Sequence, residues 1–386
     1  MQHLVRPAAL PDFRLEVHFG RWEFAAEHNL AASDGESMSI GDLLALAGRD
    51  PSDLTALRMG YGPVEGSVEL RQAIAATYQR IDADDVLCFA GAEEAIFWTM
   101  QLLLGPGDHG VVTVPNYQSM ESVAVASGAS ITGLPLWTGS GDELRWELDL
   151  DRLEAALRAE TRLVAINFPN NPTGFVPPPA AFDELVRLCD ARGIRVLSDE
   201  VYRGVELDPA RTLDQAADRS EPALSIGVMS KAYGLPGLRV GWVATRDREL
   251  LARLSRAKHY TSICNSVPSE YLATLALQHA ELILERTRAV ITGNLSLLDA
   301  FFAEHADRFS WTPPDGGCVA FPRYTGSDGV ETFCRRAVEE AGVLLLPASL
   351  FASGIADVPT DRFRIGVGRR DPGPALHALR GLLQDS

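Results

Sequence analysis

Short apolar runs alternate with amphipathic helical segments along residues 67–245 of this 386-residue chain. Apolar runs between capped helices are typical of a doubly wound, mainly parallel sheet that is buried on both faces, which is an α/β fold. The predicted strands are 84–91, 109–117, 161–169, 194–200, 223–230 and 238–245. The predicted helices are 67–81, 92–104, 148–160 and 182–193, with Asp149 as the expected N-cap of the third.

The pattern changes near residue 246, where a long helical stretch begins. In the final segment, 309–323 is typical of two strands joined by a turn, and 329–342 is typical of a helix. We therefore expect a large α/β domain and a small α+β domain that is assembled from both chain ends. The predicted division is an N-terminal segment of the small domain (1–50), the large domain (51–285) and the small C-terminal domain (286–386).

Charge and composition narrow the functional classes. The formal net charge of −17 argues against nucleic-acid binding, which needs clustered positive charge. The five cysteines form no CxxC pair and the eight histidines no HExxH pattern, so we expect no metal site and no disulfide framework. No run approaches the roughly 20 apolar residues of a membrane span, and no signal peptide is evident, so a cytoplasmic location without membrane contact is expected.

Only two lysines occur among the 35 basic residues, so a reaction that needs a deprotonatable amine has two candidates. Lys231 lies in SKAYGLPGLR, directly after a predicted strand. Lys258 lies in a helical segment and is expected to be an ordinary solvated residue. The strand-end position favours Lys231, because chemistry in an open α/β sheet concentrates at the carboxyl ends of the strands.

Other strand ends carry polar motifs as well. NFPNNPTG (167–174) and SDEVYRG (198–204) follow two neighbouring strands, and GAEE (91–94) begins a helix whose N-terminus suits a phosphate. A lysine, a carboxylate and a phosphate cradle together suit pyridoxal phosphate, which needs an amine for a Schiff base and a carboxylate for its ring nitrogen. GYGPVEG at 60–66 lacks the GxGxxG spacing and a preceding strand, so a dinucleotide site is rejected.

Taken together and in order, these motifs resemble the class I/II aminotransferases, which are fold-type I pyridoxal-phosphate enzymes. The resemblance covers roughly residues 25 to 380. It rests on GYGPVEGSVELRQAI, GAEEA, PGDHGVVTVPNY, NFPNNPTG, SDEVYRG, SKAYGLPGLRVGW and FRIG.

The resemblance implies a role for each matching residue. Lys231 is expected to form the Schiff base with the cofactor and to move the substrate proton, and Asp199 to pair with the ring nitrogen. The other expected cofactor contacts are Asn171 and Tyr202 at the phenolic oxygen, Tyr117 against the ring, and Gly91, Ala92, Glu93, Ser230 and Arg239 at the phosphate.

Further implied features concern the substrate and a second subunit. Arg364 is expected to bind the substrate α-carboxylate as a two-pronged fork, beside Asn171, and Asn171–Pro172 is expected to be a cis bond. Tyr61 is expected to reach the phosphate of the neighbouring subunit in a homodimer. The family commonly has Ser or Gly three residues before the lysine, whereas this chain has Val228, so one phosphate donor is expected to be missing.

These residues are compatible with two reactions. The first is transfer of the amino group of an α-amino acid to a 2-oxo acid. The second is a pyridoxal-phosphate-dependent cyclase, lyase or oxidase of secondary metabolism, because segment 22–47 is more similar to a subgroup of capreomycidine synthase-like enzymes. Ser33, Asp34 and Glu36 would then bind a cationic side chain such as a guanidinium; the alternative is a polar surface loop with a helix cap.

Overall fold

A computed structural model describes residues 10–384. The first nine residues, part of the predicted segment 1–50, lie outside this range. The helices are α1 (Arg14–Trp22), α2 (Ile40–Leu46), α3 (Pro51–Thr55), α4 (Val68–Ala75), α5 (Ala92–Leu103), α6 (Gln118–Ala126), α7 (Leu150–Ala156), α8 (Pro179–Asp190), α9 (Ala216–Arg219), α10 (Arg248–Lys258), α11 (Val267–Gln278), α12 (Ala280–Glu304), α13 (Val330–Glu340) and α14 (Gly373–Gln384).

Seven strands of the described chain form one central sheet. In chain order they are β1 (Val86–Phe89), β2 (His109–Val114), β3 (Ser130–Pro135), β4 (Thr161–Asn167), β5 (Arg195–Asp199), β6 (Leu224–Val228) and β7 (Gly241–Ala244). Their order across the sheet is β1-β7-β6-β5-β4-β2-β3, and only β7 pairs antiparallel with its neighbours. The predicted doubly wound, mainly parallel α/β fold is confirmed.

The register of this sheet brings three strand ends to one edge. Asn167 at the end of β4 lies opposite Asp199 at the end of β5. Asp199 in turn lies opposite Ile226, two residues before the end of β6. Apolar clusters on both faces of the sheet, including Leu197 on one and Val196 on the other, bury the strands and fix this register.

Several predicted boundaries shift. The helix predicted over 67–81 ends at Ala75, because the backbone N–H groups of Gln79 and Arg80 donate to the Asp218 carboxylate and take the chain out of the helix. Asp149 does cap α7, where its side chain accepts from the backbone N–H of Arg152 at 2.9 Å.

The strand–turn–strand predicted over 309–323 is wrong. Phe309–Ser310 pairs with Arg323–Tyr324, whereas Val319–Ala320 pairs with Phe363–Gly366 in another sheet. The intervening PPDGG segment crosses to the loop that follows β4, where the Asp315 and Gly316 N–H groups donate to the carbonyl of Gly174. These contacts separate the two arms that a tight turn would have joined.

The N-terminal segment packs against the C-terminal part of the chain. His28–Asn29 pairs parallel with Val343–Leu344, whose neighbouring strand Leu346–Pro347 pairs with Phe363–Gly366. An apolar cluster that includes Leu15 and Phe321 seals this contact. Helix α12 runs through the predicted domain boundary at 285/286 without a break, so the division at that residue stays a prediction.

Lys258 differs from its expected role as a solvated residue. It is fully buried, and its Nζ donates to the carbonyl of Val64 at 2.6 Å, the carbonyl of Cys88 at 2.7 Å and Oδ1 of Asn265 at 2.8 Å. One ammonium group therefore ties the 60–66 segment, strand β1 and the loop after α10 together. Helical periodicity could not show this, because the three acceptors come from distant parts of the chain.

We expect Lys258→Met to lower the free energy of unfolding by about 3 kcal/mol, because three buried acceptors lose their donor. Arg256→Met changes an exposed cation on the same helix and is expected to stay within about 0.5 kcal/mol of the wild type. Denaturant midpoints of the cofactor-saturated proteins measure both. Equal losses in the two variants would contradict the buried role.

Candidate active site

A cavity of about 420 Å³ lies at the edge where β4, β5 and β6 end. Its volume falls within the roughly 300–1,000 Å³ of ordinary ligand sites. Eleven of the residues predicted from the sequence line it: Ser33, Asp34, Ala92, Glu93, Tyr117, Asn171, Asp199, Tyr202, Ser230, Lys231 and Arg239. Gly91 adjoins the lining at the start of α5, Arg364 lies buried beside Asn171, and Tyr61 lies outside the cavity on the surface.

Lys231 presents its amine to the interior of this cavity. Its Nζ donates to Ser33 Oγ at 2.8 Å, so the N-terminal segment holds the amine in place. Desolvation lowers the pKa of the Lys231 amine, and the nearby Arg364 guanidinium lowers it further. Both effects favour the neutral, nucleophilic form of the amine.

Asp199 ends β5 as a buried carboxylate with no ion pair to any residue between 10 and 384. Its Oδ1 accepts from the Val201 N–H at 3.1 Å, and desolvation raises its pKa to about 6. A buried carboxylate of this kind suits a cationic partner that the polypeptide does not supply. The protonated ring nitrogen of pyridoxal phosphate fits that requirement.

The start of α5 forms an anion cradle. Gly91 has φ +104°, and a Cβ there would lie 2.7 Å from Nη2 of Arg239, so only glycine lets the guanidinium approach. A Cβ on Gly241 would lie 2.7 Å from the backbone nitrogen of Ala92. Helix N–H groups and a guanidinium around an open space suit a phosphate. Val228 lines the cavity with an apolar side chain, as its sequence position indicated.

Polar groups around the cavity link its two halves. Tyr202 donates its hydroxyl to the Ser33 carbonyl at 2.8 Å, and burial raises the pKa of that phenol. Tyr117 donates its hydroxyl to Glu16 Oε1 at 3.2 Å. The Asn171–Pro172 bond is cis, which confirms that prediction.

Arg364 is fully buried on the strand Phe363–Gly366. Its Nη1 donates to Asn171 Oδ1 at 3.1 Å and its Nη2 to the Ala31 carbonyl at 2.9 Å, while its buried Nε has no partner in the described chain. Desolvation lowers the pKa of this guanidinium to about 10. A buried guanidinium without a carboxylate is suited to a carboxylate from a ligand.

Asp34 already has a cation from this chain. Its two carboxylate oxygens accept from Nε and Nη2 of Arg369 at 2.9 and 3.1 Å. Glu36 accepts from the backbone N–H of Arg370 at 2.8 Å and lies outside the cavity lining. Arg369 therefore occupies the position at the Asp34 carboxylate that was predicted for a substrate guanidinium.

The sequence motifs did not indicate that α1 and Arg369 contribute to the cavity lining. Leu15, Glu16, Phe19 and Glu23 all line the cavity. The spacing of Glu16, Phe19 and Glu23 by three and four residues, typical of one helical face, was the available signal. No helix in 10–384 is long and apolar enough to cross a membrane, and no group of metal-binding side chains occurs in that range.

Comparison with known proteins agrees with this geometry. The family model described as aminotransferase class I and II matches residues 43–378. The chain belongs to this family. It is accordingly a pyridoxal-phosphate-dependent enzyme with the fold-type I architecture, as the sequence motifs predicted.

Individual relatives fall into two functional groups. Capreomycidine synthase from Streptomyces vinaceus is 33% identical over 97% of this chain and 93% of its own length. An arginine–pyruvate transaminase from Pseudomonas aeruginosa is 30% identical over 77% of this chain and 76% of its own. Similar solved structures include an aminotransferase from Streptococcus suis (TM-score 0.88, 29% identity, 97% of both chains) and the cyclase OrfR (TM-score 0.88, 29% identity, 99% of both chains).

In the cofactor-free protein, we expect Asp199→Asn to raise the free energy of unfolding by about 2 kcal/mol at pH 8. The wild-type carboxyl ionises above about pH 4 when unfolded but only above about pH 6 when folded, so its charge disfavours folding as the pH rises through this range. The gain should therefore shrink as the pH falls toward 4.

Thermal unfolding at several pH values measures this effect, with the exposed Asp53→Asn as the matched control. The same Asp199→Asn variant should bind pyridoxal phosphate more weakly than the wild type. A gain in stability that does not change with pH would contradict the burial of an ionisable Asp199.

Proposed function

We propose that the enzyme transfers the amino group of an α-amino acid to a 2-oxo acid. The observation that carries this proposal is an amine inside the cavity together with a guanidinium buried directly behind the lining residue Asn171. The Lys231 amine lies inside the cavity, and the buried Arg364 guanidinium beside Asn171 has an unused Nε. A substrate α-carboxylate at Arg364 would place its Cα within reach of the lysine.

Pyridoxal phosphate supplies the electron sink for a carbanion at the substrate Cα. The chain supplies the rest. Arg364 would hold the substrate carboxylate, and Lys231 Nζ would take the proton from Cα and pass it on to the cofactor carbon that had carried the lysine. Asp199 would keep the ring nitrogen protonated, and Leu15 and Phe19 of α1, which line one side of the cavity, would exclude water there.

The predicted homodimer with Tyr61 at the partner's phosphate is part of this proposal. Tyr61 and Tyr260 are 92% and 87% exposed, and Met59 is 83% exposed. Lys258 brings their two segments side by side, because its Nζ binds both Val64 and Asn265. Large exposed apolar side chains on adjoining segments are typical of a protein interface.

A second reaction is favoured by one specific observation. Capreomycidine synthase matches 97% of the chain, including the N-terminal segment that here supplies Ser33 and α1 to the cavity. The same residues could serve a cyclisation, elimination or oxidation at the side chain of a basic amino acid.

The predicted cytoplasmic location also remains a proposal, in keeping with five free cysteines.

The proposal predicts that an amino-acid donor converts the cofactor to its pyridoxamine form, which a 2-oxo acid reverses. Absorption spectra of the holoenzyme during each half-reaction measure this conversion. Persistent pyridoxal absorption, together with a cyclised or deaminated product, would instead support the second reaction. Borohydride reduction should map the cofactor adduct to Lys231.

Arg364→Lys is expected to raise KM for the donor by about 100-fold, because a lysine cannot reproduce the two-pronged contact with a carboxylate. Arg362→Lys is the matched control. This neighbouring arginine donates to the Phe321 carbonyl and lies outside the cavity lining. Equal KM values in both variants would place the carboxylate elsewhere.

Tyr61→Ala and Lys231→Ala should each be inactive or nearly so, yet their mixed dimers should regain activity. A mixed dimer contains one site with both native residues if Tyr61 acts across the interface. Activity is measured after the two variants are unfolded, mixed and refolded together. If mixing the two variants restores no activity, Tyr61 acts in the active site of its own subunit or in neither active site.

A further inference from the structure

We infer that Glu16 and Glu23, at the α1 side of the cavity, bind a cation at the end of the substrate side chain, so that the enzyme selects donors with a guanidinium or ammonium group. This inference rests on the proposed function, since it names the substrate class of the same site. It assigns the cation to α1 rather than to Ser33, Asp34 and Glu36, which were one of the two alternatives for the loop after α1.

Charge balance inside the cavity supports the assignment. Arg369 is neutralised by Asp34, Arg239 faces the phosphate cradle, and Arg364 is free for the α-carboxylate. Neither Glu16 nor Glu23 forms an ion pair with any residue of the described range 10–384. With pyridoxal phosphate and a carboxylate in place, Glu16, Glu23 and Glu93 are the lining carboxylates still without a cation, and Glu93 lies at the phosphate cradle rather than on α1.

Geometry places these glutamates on the substrate side. Glu16, Phe19 and Glu23 follow one another at helical spacing and all line the cavity. The Arg364 guanidinium lies 5.7 Å from the centre of the Phe19 ring. The α1 face therefore carries one glutamate on each side of the Phe19 ring, along the path that a substrate side chain anchored at Arg364 would take.

Contacts of Glu16 fix its position in this path. It accepts from the Tyr117 hydroxyl at 3.2 Å, and the Tyr117 ring packs on Phe13 with ring centres 5.0 Å apart. One carboxylate oxygen is thereby engaged, which leaves the other for a ligand donor. A guanidinium suits this arrangement, because it can donate to Glu16 and Glu23 from different N–H groups.

Mutual repulsion among the carboxylates supports a bound cation. Desolvation raises the pKa of Glu93 to about 7, and the charges of Glu16 and Asp199 raise it further. Carboxylates gathered in one cavity disfavour each other's ionised form. A cation between α1 and the reacting Cα would relieve this repulsion, whereas a neutral side chain would leave it in place.

The test compares arginine with citrulline, which has nearly the same shape and no charge. Wild-type enzyme is expected to convert its cofactor at least about tenfold more efficiently with arginine, as kcat/KM of the first half-reaction. Glu16→Gln should lower the ratio of the arginine value to the citrulline value by about tenfold or more. Glu27→Gln, an exposed glutamate outside the cavity lining, is the matched control.

A binding measurement provides a readout independent of turnover. Argininic acid carries a hydroxyl in place of the amine, so it binds the holoenzyme without reacting. Calorimetry should show about tenfold weaker binding in Glu16→Gln than in the wild type or Glu27→Gln. Unchanged affinity would overturn the inference.

The outcomes separate the inference from the function on which it rests. Equal kcat/KM for arginine and citrulline in the wild type would reject the cation site, while the conversion itself would uphold amino transfer. A cofactor that no amino acid converts would reject amino transfer, and argininic acid binding would still decide the role of Glu16.

Discussion

The site depends on a buried carboxylate that forms no ion pair with any residue in the described part of the chain. Asp199 lies at the end of a central strand, in register with Asn167, and desolvation raises its pKa to about 6. Such a charge is costly in an apolar interior unless a positive partner arrives. Apolar packing on both sheet faces keeps the Asp199 carboxylate buried. The fold therefore favours a cationic ligand beside Asp199.

Parts of the fold and site that follow from local pattern could be predicted from the sequence. Buried strands, the caps and the strand-end motifs around Lys231 and Asp199 depend on neighbours within a few residues. The crossing of PPDGG to Gly174 and the pairing of Asp34 with Arg369 depend on contacts across the whole chain. Sequence periodicity does not report such contacts, so it could predict neither the course of residues 309–323 nor the ion pair that engages Asp34.

The N-terminal segment connects the two halves of the molecule chemically as well as structurally. It supplies the Ser33 hydroxyl to Lys231, the Ser33 carbonyl to Tyr202 and the Ala31 carbonyl to Arg364. Its short strand at His28–Asn29 pairs with the C-terminal part of the chain. The position of the reactive amine is therefore coupled to the packing of a segment that lies 198 positions away in sequence at Ser33.

The burial of Lys258 has a practical consequence for chemical labelling. With that ammonium enclosed by three acceptors, the only other lysine side chain is the one in the cavity. Reagents that acylate lysines would find a surface covered with guanidinium groups, which they do not modify. Pyridoxal phosphate bound at Lys231 would shield the remaining lysine, so crosslinking that requires a lysine side chain should be slow on the loaded enzyme.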